Sequence, residues 1–296
     1  MRFSPLFLFL LLLTGQRVAS AQAVLLVDSL ARASHAAALS ATSPRLVVDL
    51  ASGSRNAYLM RVPDAALDYG YLATQLTYQT RCGLFVGAYL NHSYGPDQPA
   101  LDDYEASLGY THAGPIEWTI QYMHLFVPET SKLLRAGITD NVEGAVGRDF
   151  DLVYASLTAD AFFGGTRDLI LTWNISHAFS VPLSARDTLH ITPTLELGTG
   201  TQRFYAAGLA HAVQAQVATT KKNGQPGKPK TVTTLETPDT AGFATTGYTL
   251  SLPFSLDSRR SSFAIIPAYL VPLHVPEWGS MAKVFYISAE FTRRFW

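Results

Sequence analysis

Residues 115–126, PIEWTIQYMHLF, separate into two faces when every second position is taken. Ile116, Trp118, Ile120, Tyr122 and Phe126 share one side, with His124 among them, while Glu117, Thr119 and Gln121 take the other. A period of two marks a β-strand, because successive side chains leave a strand on opposite faces. Ribbons of this kind hide their apolar faces in one of two ways. They pack against each other as a soluble sandwich, or they turn outward to lipid as the wall of a closed barrel.

The pattern recurs along the chain. In 68–80 Leu72, Leu76 and Tyr78 oppose Ala73, Gln75 and Thr77; in 83–94 Leu84, Val86 and Leu90 oppose Phe85, Gly87 and Asn91. In 104–112 Tyr104, Ala106 and Leu108 oppose Glu105, Ser107 and Gly109. Later, 168–179 sets Leu169, Leu171, Trp173 and Ile175 against Thr172, Asn174 and Ser176, and 188–200 sets Leu189, Ile191, Leu195 and Leu197 against His190, Thr192, Thr194 and Glu196. In 247–255 Tyr248, Leu250, Leu252 and Phe254 oppose Thr249 and Ser251; in 283–296 Phe285, Ile287, Ala289, Phe291 and Phe295 oppose Tyr286, Ser288, Glu290, Thr292 and Arg294. The stretch 262–273 is apolar on both sides, and 45–53, 141–150 and 152–163 are weaker strands. The total of roughly twelve is an even number within the range of bacterial barrels.

Three features favour lipid over a soluble core. These strands run to about 10–12 residues, enough at about 3.3 Å per residue and a tilt near 45° to rise through an apolar band about 25 Å tall. The second face carries Glu, Gln, Thr, Ser, Asn and Gly, which suit a wet interior. Short connections (81–83, 113–115, 148–151, 181–187 and 256–262) alternate with longer ones (61–67, 94–103, 127–140, 201–241 and 274–281), apart from a short GGTR at 164–167. That alternation fits turns on one side of a membrane and loops on the other. Charged residues make up only 15% of the chain, and the formal net charge of −1 gives no footprint for nucleic acid.

The N-terminus has the form of an export signal: Arg2, the apolar run Leu6–Leu13 and the small-x-small site Ala19-Ser20-Ala21. Residues 1–21 are therefore expected to be a signal peptide, 22–44 a periplasmic leader or plug, and 45–296 the barrel. Cys82 is the only cysteine, which excludes an internal disulfide.

The reading places Glu105, Glu117, Gln121, Asn174, His190, Glu196, Glu290 and Arg294 on the lumen wall. Glu105 and Glu117 flank one short turn, with Arg294 as a partner for them from elsewhere on the wall. Tyr78, Tyr104, Trp118, Tyr122, Trp173 and Phe295 fall on the outer face, where aromatic rings suit the membrane interface. No cofactor motif, paired metal-ligand motif or nucleotide loop is present, and no catalytic residue is assigned. The pairs His92-Ser93 and Ser176-His177 are sequence neighbours whose side chains point to opposite faces. An enzyme of outer-membrane lipid would instead need a Ser and a His from different strands to meet at the rim.

GLFVGAYLNHSY (83–94) resembles a strand reading S-G-x-Y-A-G-x-W in a porin-like family of bacterial outer-membrane β-barrels that has no assigned activity. NVEGAVGRDF (141–150) resembles that family's later T-E-x-Y-A-G-x-S-Y strand, with Phe85 and Gly144 standing where the family has Tyr. The resemblance implies an all-β, up-and-down antiparallel barrel in the bacterial outer membrane. Its partners would be outer-membrane lipid, the barrel-insertion machinery and small solutes. The function expected is a passive narrow pore or a structural or surface barrel. The alternatives are a phospholipase- or deacylase-like enzyme and a soluble secreted β-sandwich.

Overall fold

The computed structural model describes residues 44–54, 70–94, 103–126, 138–164, 167–201, 242–273 and 283–295. The expected signal peptide and nearly all of the leader lie outside these residues, as does the 202–241 link. Every regular element among them is a strand: β1 (Arg45–Gly53), β2 (Gly70–Gln79), β3 (Leu84–Tyr94), β4 (Asp103–His112) and β5 (Glu117–Phe126). There follow β6 (Ile138–Asp149), β7 (Tyr154–Gly164), β8 (Asp168–Ser176), β9 (Phe179–Pro182) and β10 (Thr188–Ile191). The last five are β11 (Thr194–Gly200), β12 (Ala244–Ser251), β13 (Phe254–Ser258), β14 (Ser261–Pro272) and β15 (Val284–Phe295).

These fifteen segments form twelve staves. β8 with β9, β10 with β11, and β12 with β13 are single staves interrupted for two residues, and the register passes through each break without a slip: Ser176 pairs with Thr194 and Phe179 with Ile191. The interruptions follow a diagonal of prolines. Pro193, Pro253 and Pro267 have no N–H to give to a ladder. Their carbonyls still accept, from His177 N at 3.2 Å, Thr192 N at 3.0 Å and Leu252 N at 3.0 Å.

Consecutive staves pair antiparallel from β1 to β8, β8 pairs β11, β11 pairs β12, and β12 and β13 pair β14. β14 pairs β15, and β15 pairs β1 in register from Leu46↔Phe295 to Gly53↔Ser288. The ring is closed: a twelve-stave antiparallel β-barrel. Closure removes the exposed edges that an open sheet presents.

Both ends of the ring sequence, Arg45 and Phe295, lie at the same end of the barrel as the short turns. There Gly83 has φ 94°, a left-handed conformation that favours glycine, and a side chain would strike the Thr111 carbonyl. The turn before β7 is longer than the sequence suggests. Phe150 N bonds Val153 O at 2.9 Å and Asp151 has φ 67°, so residues 150–153 are turn and β7 starts at Tyr154.

Side chains alternate in and out along every stave. Outer positions are open, with Leu76 45%, Leu108 57% and Ile120 52% exposed, whereas Thr77 and Glu143 are 1% and Glu196 2% exposed. The stretch 262–273 is apolar on both faces for a reason visible only here. Ile266, Ala268 and Leu270 pack inward against Tyr71, Ala73 and Tyr286, forming an apolar patch on one side of the interior.

Candidate functional site

The interior is the candidate site, and its polar residues fall into layers. At the short-turn end is a cavity of about 350 Å³, lined in part by Glu117, His190, Asp257, Glu290 and Arg294. Tyr154 lies over Gly147, the register partner of Glu117, and its ring occupies the space a side chain there would need. At the mouth on the same end, Arg45 donates two hydrogen bonds to Gln79 Oε1, at 2.9 and 3.1 Å.

At mid-height two carboxylates sit side by side. Glu143 and Asp160 are register partners on β6 and β7, exposed by 1% and 4%. Gln121 Nε2 donates to Glu143 at 2.9 Å, and Asn141 Nδ2 donates to Asp160 at 3.1 Å. Asn174 and Glu196 are register partners two staves further round. Glu105 lies higher, between Tyr89 and Leu125.

The expected meeting of Glu105 with Glu117 does not occur. The β4–β5 hairpin pairs Glu105 with Leu125, eight residues from Glu117, or about 26 Å at 3.3 Å per residue. Both residues flank the same turn, but at unequal distances from it, so the register sends one to each half of the lumen. Arg294 shares the lower cavity with Glu117 and not with Glu105.

The six aromatic positions are all open to the exterior: Tyr78, Tyr104, Trp118, Tyr122, Trp173 and Phe295. Tyr104 stacks on Phe126 at 4.8 Å, and the Arg293 guanidinium lies 5.9 Å above the Phe295 ring. His124, a polar residue on this apolar face, has a local partner: its Nδ1 is 2.8 Å from Asp140 Oδ1, which also accepts from Tyr122.

The sequence-adjacent pair Ser176-His177 makes no catalytic contact. Ser176 faces the lower cavity, while His177 packs edge-on against Phe179 at 4.5 Å. The side chain of Ser93 lies outside the described residues. A contact that sequence reasoning missed lies elsewhere: Ser180 Oγ is 2.8 Å from His190 Nδ1, and His190 Nε2 is 3.3 Å from Asp257 Oδ2. Two turn groups near the short-turn end have shifted acidities. Hydrogen bonds from Ser184 and Ser258 hold the Asp187 carboxyl below its usual range, and one with Thr80 lowers the Cys82 thiol.

No protein-family model matches the chain, and no curated protein matches it. Among solved structures it is similar to the KdgM porin at 8% identity, covering 84% of this chain and 99% of that one with a TM-score of 0.47. It is also similar to the NanC porin (9% identity, 83% and 98% covered, TM-score 0.45) and to LpxR from Salmonella typhimurium (8% identity, 84% and 99% covered, TM-score 0.44). The architecture rests on the strand register and ring closure given above.

Proposed function

We propose that the chain is a bacterial outer-membrane β-barrel acting as a narrow passive pore for small hydrated solutes. One observation carries this reading: the closed ring is apolar outside and polar inside, the inverse of a soluble barrel with a dry core. Rows of Leu, Ile, Val, Trp and Tyr cover the exterior. Water solvates such a surface poorly. Hydrocarbon does so well, and it tolerates only a wall whose backbone groups are paired, as closure provides along the described staves apart from the short β9 edge at the rim.

Inside, the charge is one-sided. Glu105, Glu143, Asp160 and Glu196 occupy the middle and upper wall and Glu117 and Glu290 the lower, while Arg45 and Arg294 are the described arginines on the inner face. Rings of like charge bias the ions that pass. Buried mid-height side chains such as Glu143, Glu196, Tyr286 and Ile266 keep the path narrow. The test is planar-bilayer conductance of the full mature chain. Discrete steps support the pore, and a sealed bilayer at every applied voltage assigns the chain to the structural or surface barrels instead.

A further inference from the structure

We propose that Ser180, His190 and Asp257 form a serine-hydrolase site at the short-turn mouth of the barrel, acting on small water-borne acyl esters. The three residues come from three staves, and the register brings them together. His190 is the cross-strand partner of Ser180 on β9 and of Ser255 on β13, and Asp257 lies two residues beyond Ser255 on the same inward face. This is the meeting of a Ser and a His from different strands that acyl chemistry at a barrel rim requires.

The hydrogen-bond geometry gives each group a role. Ser180 Oγ lies 2.8 Å from His190 Nδ1, and Asp257 Oδ2 stands 3.3 Å from Nε2 as its ionic partner; with the ring proton on Nε2, Nδ1 accepts from the Ser180 hydroxyl. That tautomer is the one a general base needs, with the carboxylate orienting the ring from the far side. Asp257 acts through His190 and is a positioning residue. Water reaches all three: Ser180 is exposed, and the side chains of His190 and Asp257 are 25% and 42% exposed.

The strand edge supplies an oxyanion donor. His177 N bonds Pro193 O, and Leu183 N bonds Asp187 O, in one unbroken register. Bonding residues alternate in an antiparallel pair, so Phe179 and Val181 turn their amides to β10, and Ser180 turns its amide to the opposite side. On that side β9 has no strand neighbour among the described residues. The Ser180 N–H is therefore available beside its own hydroxyl, the placement used to hold the oxyanion in acyl transfer. Pro182, with no N–H, keeps this short edge from recruiting another strand.

The reaction balances without a cofactor. Ser180 Oγ attacks the ester carbonyl carbon as its proton passes to His190 Nδ1, and the carbonyl electron pair becomes the oxyanion. Collapse breaks the bond to the alcohol oxygen, which leaves with the proton from His190. Water then gives a proton to His190 and attacks the acyl-serine. The acid departs, and His190 returns the proton to Ser180. The substrate is a small soluble ester because Ser180 and His190 face the lumen mouth, while Phe179 and Val181 occupy the apolar outer side of the same strand.

The test uses the full mature chain, folded in detergent, with a fluorophosphonate probe and p-nitrophenyl butyrate. The expected result is one covalent adduct, mapped to Ser180 by mass spectrometry, and butyrate release. Both are abolished in Ser180→Ala and slowed on the order of 100-fold in His190→Gln. Ser52→Ala, on the outer face at the other end, reacts as the parent does. Asp257→Asn lowers kcat with KM unchanged, and Asp257→Glu restores part of the loss. Heat-modifiable gel mobility verifies that each variant has folded. No adduct on the folded parent, or an adduct that persists in folded Ser180→Ala, overturns the proposal.

Discussion

Thr292 donates its hydroxyl to the Asp49 carboxylate across the seam where the last stave meets the first, joining residues 243 positions apart. Their backbones are register partners, and both side chains face inward. This contact exists only if the ring is closed. A hydrogen bond to a charged acceptor is worth about 1.5–3 kcal/mol, and this one is partly buried. Thr292→Val is therefore expected to lower the thermal transition of the folded barrel in detergent, read from heat-modifiable gel mobility. Asp49→Asn, which keeps an acceptor, should lower it less. Equal behaviour of parent and Thr292→Val would mean that the seam contact does not hold the ring.

The outer and inner faces should respond oppositely to charge. Leu108 is 57% exposed near the middle of β4, while Gln75 is an inward position on β2. Leu108→Arg places a cation against hydrocarbon at a cost of about 2–4 kcal/mol near the midplane. Gln75→Arg places the same group in the lumen and should cost much less. Folding yield into lipid vesicles checks the difference.

Charge on the inner wall should show in ion selectivity. Under a KCl gradient across a planar bilayer, the parent is expected to prefer cations. The double variant Glu143→Gln/Asp160→Asn should shift the reversal potential toward that of a neutral pore, each unit charge at roughly 6 Å in water being worth about threefold in cation partitioning. Anion preference in the parent would contradict the one-sided interior.

Asp187 caps the hairpin that carries Ser180 and His190: its carboxylate accepts from Ser184 at 2.8 Å, and Ser184 Oγ accepts from the amides of Arg186 and Asp187 at 3.1 Å. The bonds from Ser184 and Ser258 to the carboxylate hold its folded-state pKa below the ordinary aspartate value of about 3.9. The stabilisation is therefore present above that value and is lost as pH falls through the lower folded one. Acid titration of the thermal transition should show Asp187→Asn lagging behind the parent near neutrality and converging with it in acid.

Much of the architecture was legible because a period of two leaves little choice: each strong strand from β2 to β5 has the faces its sequence indicates. The ring closure was not a local property, since Asp49 and Thr292 carry no mark of each other. The interruptions at Pro193 and Pro253 also escaped, because a missing N–H matters only once a neighbour's position is known. For the lumen, alternation gave the facing of residues but not their height. Glu105 and Glu117 were thus separated by a hairpin register that their spacing did not reveal. Ser180 fell between the expected 168–179 strand and the 181–187 connection, and only the extension of β9 beyond the end of β7 brought it to His190. Asp257 was hidden in the same way, in the polar stretch LDSRRSS.

The central claim is that lipid tails solvate the Trp118 and Trp173 side of the wall, where these side chains are 41% and 49% exposed. The direct measurement is tryptophan fluorescence of a Trp278→Phe/Trp296→Phe variant in vesicles containing brominated phospholipid, compared with aqueous iodide. The account predicts strong quenching by the brominated chains and little by iodide. Quenching by iodide with none from the brominated lipid would place these rings in water and contradict it.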